Sequence, residues 1–78
     1  MKELIEYIAT SLVDDPTQVQ VHEFTRGSTI NLSLKVAKED MGRIIGKNGR
    51  VANSIRLLLR VAAVRQGKRA ILDVEDPR

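Results

Sequence analysis

Residues 44 to 55 read Ile44-Ile45-Gly46-Lys47-Asn48-Gly49-Arg50-Val51-Ala52-Asn53-Ser54-Ile55, and this stretch decides the fold. An apolar pair precedes a Gly-x-x-Gly tetrapeptide, and an amphipathic basic segment follows it. Glycine at 46 ends whatever helix precedes it, because glycine tolerates the left-handed conformation of a C-cap. The next helix then starts with first-turn N–H groups that have no intrahelical acceptor. Those groups carry the partial positive charge of the helix start and make an anion site. Without Cβ atoms at 46 and 49, a sugar-phosphate chain can approach the backbone closely. Lys47 adds a cation, and Asn48 can donate or accept. Taken alone, Gly-x-x-Gly is also what a plain helix–turn–helix joint looks like, so the flanking chain has to decide.

Downstream, the spacing predicts a helix from about Arg50 to Arg65, followed by Gly67. Ala70, Leu72 and Val74 alternate with Ile71 and Asp73 as a strand. Upstream, Met41, Ile44 and Ile45 give an apolar stripe to a short helix opened by Lys38-Glu39-Asp40, whose acids suit the N-terminal end of its dipole. Ile30, Leu32, Leu34 and Val36 alternate with Asn31, Ser33 and Lys35 as a strand with one buried face. Thr25-Arg26-Gly27-Ser28 is turn chemistry, and Val19 and Val21 begin an earlier strand that runs to about Phe24, with Phe24 assigned to the core. Leu4, Ile5, Ile8, Ala9 and Leu12 recur at helical spacing, so residues 2 to 13 form a first helix, stopped by Asp14-Asp15-Pro16. The order is α-β-β-α-α-β. The first two strands form an antiparallel hairpin, and the two helices after it allow the third strand to pair in parallel. The fold class is α+β: a two-layer sandwich of a three-stranded sheet covered on one face by three helices. The 78 residues suffice for one small domain over 1–78, with a loose tail from about 75 to 78.

Charge is distributed unevenly. The net charge is +3, yet from Met41 to Leu72 there is no Asp or Glu, while Arg43, Lys47, Arg50, Arg56, Arg60, Arg65, Lys68 and Arg69 all fall there. The rest of the chain holds five cations against ten acids. One continuous half is therefore positive, the footprint of a polyanion binder. Ordinary solvated helices interleave both signs.

Catalysis has little to work with. His22 is the one histidine, on a predicted strand with its side chain outward, and there is no cysteine. No metal set and no cofactor are expected, and the chain reads as a non-enzyme. The run Gly42-Arg43-Ile44-Ile45-Gly46-Lys47-Asn48 is superficially like a P-loop, but it has three residues between glycines where four are needed, and Asn48 where Ser or Thr would hold magnesium. No apolar run approaches the roughly 20 residues that span a bilayer. The acid at Glu3 and the lack of a long apolar stretch argue against a secretory signal. The expected location is the cytoplasm, without membrane insertion.

The apolar pair, the glycine loop and the αββααβ frame together resemble the type II KH domain, and the likeness covers nearly the whole chain. The run Gly42-Arg43-Ile44-Ile45-Gly46-Lys47-Asn48-Gly49-Arg50, then Ala52-x-x-Ile55-Arg56, and Gly67-Lys68-Arg69-Ala70-Ile71-Leu72-Asp73 are similar to the bacterial KhpA family of free-standing KH domains. The resemblance implies a protein that binds single-stranded RNA through a GXXG loop clamping about four nucleotides. It further implies an RNA chaperone or post-transcriptional regulator that acts with a multidomain KhpB (Jag)-like partner and is linked to cell shape and peptidoglycan homeostasis.

Carried onto this sequence, Arg43, Gly46, Lys47, Asn48, Gly49 and Arg50 form the phosphate side, and Ile45, Val51 and Ile55 the groove floor. For all three, and most of all for Ile55, plain core packing is the competing reading. Lys68 and Arg69 rim the groove or belong to an ordinary polar loop. With one Tyr, one Phe and no Trp, aromatic stacking is scarce, so affinity rests on phosphates and small apolar surfaces. On a helical wheel Val51, Ile55, Leu58, Leu59 and Ala62 form the sheet-facing stripe of the long helix, while Leu57, Val61 and Val64 form a second one. The second stripe is covered by another helix of the same chain or serves as an interface, in a homodimer or with a KhpB (Jag)-like protein. Two other readings remain at this point: a helix-turn-helix DNA binder using Arg50, Asn53 and Arg56, and a protein-only adaptor.

Overall fold

Ile30, Leu32 and Leu34 form the row on which the core is built. They lie on the inward face of β2 (Thr29–Lys35), the central strand, and all three are buried. The computed structural model describes residues 1–46 and 49–75. Among these, β2 pairs antiparallel with β1 (Gln20–Arg26) and parallel with β3 (Arg69–Val74), giving the order β1-β2-β3. The chain reaches the parallel strand through α2 (Met41–Ile45) and α3 (Arg50–Arg65), and α1 (Lys2–Leu12) precedes the hairpin. The α+β arrangement of three helices on a three-stranded mixed sheet is the expected one.

Helix faces follow their apolar spacing. Ile5 and Ala9 of α1, Ile44 of α2, and Ala52, Ile55, Leu59 and Ala63 of α3 are buried. With Val21, Val36, Leu72 and the β2 row, most of these make a single cluster. Burying such side chains contributes about 1.5–3 kcal/mol each against exposure.

Three local expectations are corrected. The first strand begins at Gln20, because Pro16–Gln18 forms a 3₁₀ turn whose Asp15 side chain accepts the Thr17 N–H. Phe24 is not core but 59% exposed. Successive strand residues point to opposite faces, and with Val21 inward the same alternation sends Phe24 outward. Asp40 does not simply serve the dipole of a helix starting at Lys38. Lys38–Asp40 is a 3₁₀ turn, and the Asp40 carboxylate, 2% exposed, accepts the backbone N–H groups of Asp14 at 3.0 Å and Asp15 at 3.2 Å. It ties the end of α1 to the start of α2.

Candidate nucleic-acid interface

Gly46 ends α2 and Gly49 opens α3, and the two helices pack against each other. Gly46 caps α2 at φ +70, ψ −178, and its N–H donates to the Gly42 carbonyl at 2.8 Å. That conformation is essentially restricted to glycine. A Cβ at 46 would also lie 2.3 Å from Val51 Cγ2, so the close approach itself excludes a side chain. Gly49 opens α3 at φ +76, ψ 10, and no side chain caps that end among the described residues. Lys47 and Asn48, assigned to the phosphate side from the sequence, lie outside the described residues. Gly46 and Gly49 are half-buried and Arg50 is exposed.

Arg43 departs from expectation. Its Nη2 donates to Asp14 Oδ2 at 3.0 Å, and its Nε lies 3.8 Å from Asp40 Oδ1. Among the described residues it is the one cation of the acid-free run held in an ion pair. It braces the α1 end against α2, with its guanidinium turned to the two carboxylates. The groove floor is also reassigned. Ile55 is 4% exposed and belongs to the core, and only its edge reaches the apolar slot between α1 and α3. Val51 is half-buried, lies under Gly46, and with Ile8, Leu12 and Leu58 lines that slot. Ile45 remains exposed at the end of α2.

The basic surface lies on the other side of α3. Arg56 and Arg60 of α3 face Lys68, Arg69, Ile71 and Leu72 across a cleft of about 470 Å³, which Val64 and Ala70 also line. Arg56 spans it: Nε donates to the Leu72 carbonyl at 3.4 Å, and Nη1 to Asn53 Oδ1 at 3.2 Å. Lys68 and Arg69 therefore line this cleft, which contains none of the expected floor residues Ile45, Val51 and Ile55. Arg56 and Arg60 were missing from the sequence-derived set, although their four-residue spacing on a helix already placed them on one face.

The second stripe of α3 is uncovered among the described residues. Leu57, Val61 and Val64 are exposed, and so is Leu58, which the helical wheel had assigned to the sheet side. The core face of α3 is centred on Ala52, Ile55, Leu59 and Ala63, which turns Leu58 outward. No helix among the described residues is long and apolar enough to cross a membrane. Among the same residues, no group of three or more His, Cys, Asp or Glu is placed to hold a metal ion.

Comparison with known proteins adds the lineage. The family described as "KhpA/KhpB, KH domain" matches residues 2–74. A Clostridium acetobutylicum protein named RNA-binding protein KhpA is 53% identical over 74 residues, covering 95% of this chain and 99% of that one. Proteins of the same name from Halalkalibacterium halodurans and Chlamydia trachomatis are 43% and 42% identical, over 97% and 100% of this chain and all of theirs. No solved structure matches the chain.

Proposed function

This chain belongs to the KhpA/KhpB family of KH domains, and from that premise we propose that it binds single-stranded RNA through the Gly46–Gly49 loop and the basic cleft between α3 and β3. The relatives' names support the ligand class. The observation that carries the reading is the alignment of charge with the cleft: Arg56, Arg60, Lys68 and Arg69 line one groove on the helix that Gly49 opens. In this reading Lys47 and the first-turn amides of α3, which follow Gly49, hold the phosphate backbone. Asn48 and Arg50 assist at the loop, and Ile45 offers a small apolar contact beside it. The cleft cations take the phosphates that follow. Without an aromatic residue lining the cleft, sequence preference is slight and binding is governed by salt.

The chain acts in the cytoplasm as an RNA chaperone or post-transcriptional regulator, paired with itself or with a KhpB (Jag)-like partner, in cell-shape and peptidoglycan homeostasis. The family resemblance supports this finer reading, and the exposed Leu57, Val61 and Val64 support the pairing. Two domains on one strand would raise affinity through effective concentration.

Changing Lys47 and Asn48 both to Asp tests the loop. The far-ultraviolet circular dichroism of the parent should be kept, while affinity for an unstructured oligoribonucleotide falls at least about tenfold through charge repulsion. Unchanged RNA affinity refutes the loop assignment, and preference for duplex DNA over single strands favours the helix-turn-helix reading instead.

A further inference from the structure

The sheet face that carries no helices has an ordered chemistry of its own. Strand register places Phe24, Asn31 and Ile71 in one row across β1, β2 and β3. Phe24 is 59% and Ile71 45% exposed, so the one phenylalanine of the chain presents its ring to solvent. The neighbouring row is Arg26, Thr29 and Arg69, about 6.6 Å along the strands. The row on the opposite side is His22, Ser33 and Asp73, with Glu75 bonded to the Ser33 hydroxyl. The face therefore runs from a basic edge, across an aromatic and amide row, to an acidic edge.

We propose that this face is a second RNA-binding surface, on which Phe24 stacks a base of the strand that leaves the α3–β3 cleft, while Arg26 and Arg69 hold its phosphates. The inference rests on the RNA-binding reading above and extends it beyond the cleft. Continuity is the first support. Ile71 and Leu72 line both the basic cleft and the shallow depression beside Phe24 and Asn31, so the edge strand β3 alone separates them. Arg69 belongs to both surfaces, at the rim of the cleft and at the basic edge of the sheet. Chemistry is the second. Every base has a π-face, and an exposed ring beside an amide and a basic edge meets the needs of an unpaired nucleotide without demanding a sequence. Size is the third. Two exposed apolar side chains flanked by charge form a small apolar centre for a homodimer interface, whose buried surface is typically about 65% apolar, which disfavours a second copy here.

The test uses the full chain, with oligoadenylates of four and twelve nucleotides as probes. A tetramer fills the loop and cleft, and only the longer strand reaches over β3. Phe24→Ala should weaken binding of the twelve-mer about 5- to 150-fold, the range of one lost stacking contact, and leave tetramer affinity within about twofold. Phe24→Trp should keep twelve-mer affinity. It also introduces the chain's only indole, whose fluorescence the twelve-mer should quench and the tetramer should not. The proposal is overturned if Phe24→Ala affects both lengths equally or neither, or if the indole signal ignores the longer strand. Loss of self-association in sedimentation on Phe24→Ala, with twelve-mer affinity intact, would hand the face to a second copy. Failure of the parent chain to bind either probe removes the RNA reading and this one together, whereas tetramer binding with an indifferent Phe24 removes this one alone.

Discussion

Replacing Gly46 with alanine perturbs the point where α2, the loop and α3 meet, and the structure sets the size of the effect. At φ +70, ψ −178 an L-residue is strained by about 1–3 kcal/mol. The new Cβ would lie 2.3 Å from Val51 Cγ2, 2.7 Å from Val51 Cβ and 3.0 Å from Val51 N. A rotamer change moves Cγ2 but neither Cβ nor N, so the backbone at the start of α3 must shift, at an overpacking cost of about 1–3 kcal/mol. The total, about 2–6 kcal/mol, takes a large share of the ~4–12 kcal/mol expected for 78 residues. Gly49 is the internal control. It too has positive φ, at +76, but a Cβ there meets only Asn53 Nδ2 at 3.8 Å, so Gly49→Ala should cost only the left-handed penalty of about 1–2 kcal/mol. Urea denaturation followed by far-ultraviolet circular dichroism separates the two. Combining Gly46→Ala with Val51→Ala removes the tightest contact and should recover at least about 0.5 kcal/mol relative to additivity. A Gly46→Ala variant no less stable than Gly49→Ala, or strict additivity with Val51→Ala, would refute the argument that close approach dictates the first glycine.

Three further outcomes are expected. Asp40→Ala leaves the Asp14 and Asp15 N–H groups without their acceptor, and should lower the unfolding free energy by about 2–4 kcal/mol in the same assay, with Asp40→Asn losing roughly half as much. RNA affinity measured by fluorescence anisotropy should fall with salt with a log–log slope of about −2 to −3, the single-strand value for three to four phosphates. Arg56→Ala should make that slope shallower by about 0.7, and a flat salt profile would contradict a phosphate clamp. Val61→Glu should reduce self-association in a sedimentation concentration series without unfolding the chain, because Val61 is exposed. A parent that stays monomeric at high micromolar concentration ends the homodimer reading.

Much of the frame was legible in the sequence because it is encoded locally. Turn residues and apolar periods of two and 3.6 placed the helices and strands. The long helix spans Arg50–Arg65 as its spacing predicts, and the strand edges moved by only a few residues where Pro16–Gln18 took a 3₁₀ turn. The glycine spacing identified the helix joint, and the acid-free run identified the positive half of the chain. Where each cation points was not legible. Arg43 looked like its neighbours until folding brought Asp14, 29 residues away, to its guanidinium. Arg56 and Arg60 became the wall of a cleft only when β3 was laid beside α3.

The sequence by itself determined the order of elements, the Gly46–Gly49 loop and the sign of the charge around it, since each depends on residues within a few positions of one another. Only the tertiary structure decided that Ile55 faces the core, that Leu58 and Phe24 face solvent, and that Arg43 is held by acids while Arg56, among the described residues, is not paired with one. A helix or strand fixes the angles between its own side chains but not its rotation against the rest of the molecule. That rotation is set by the combined packing of segments far apart in the chain.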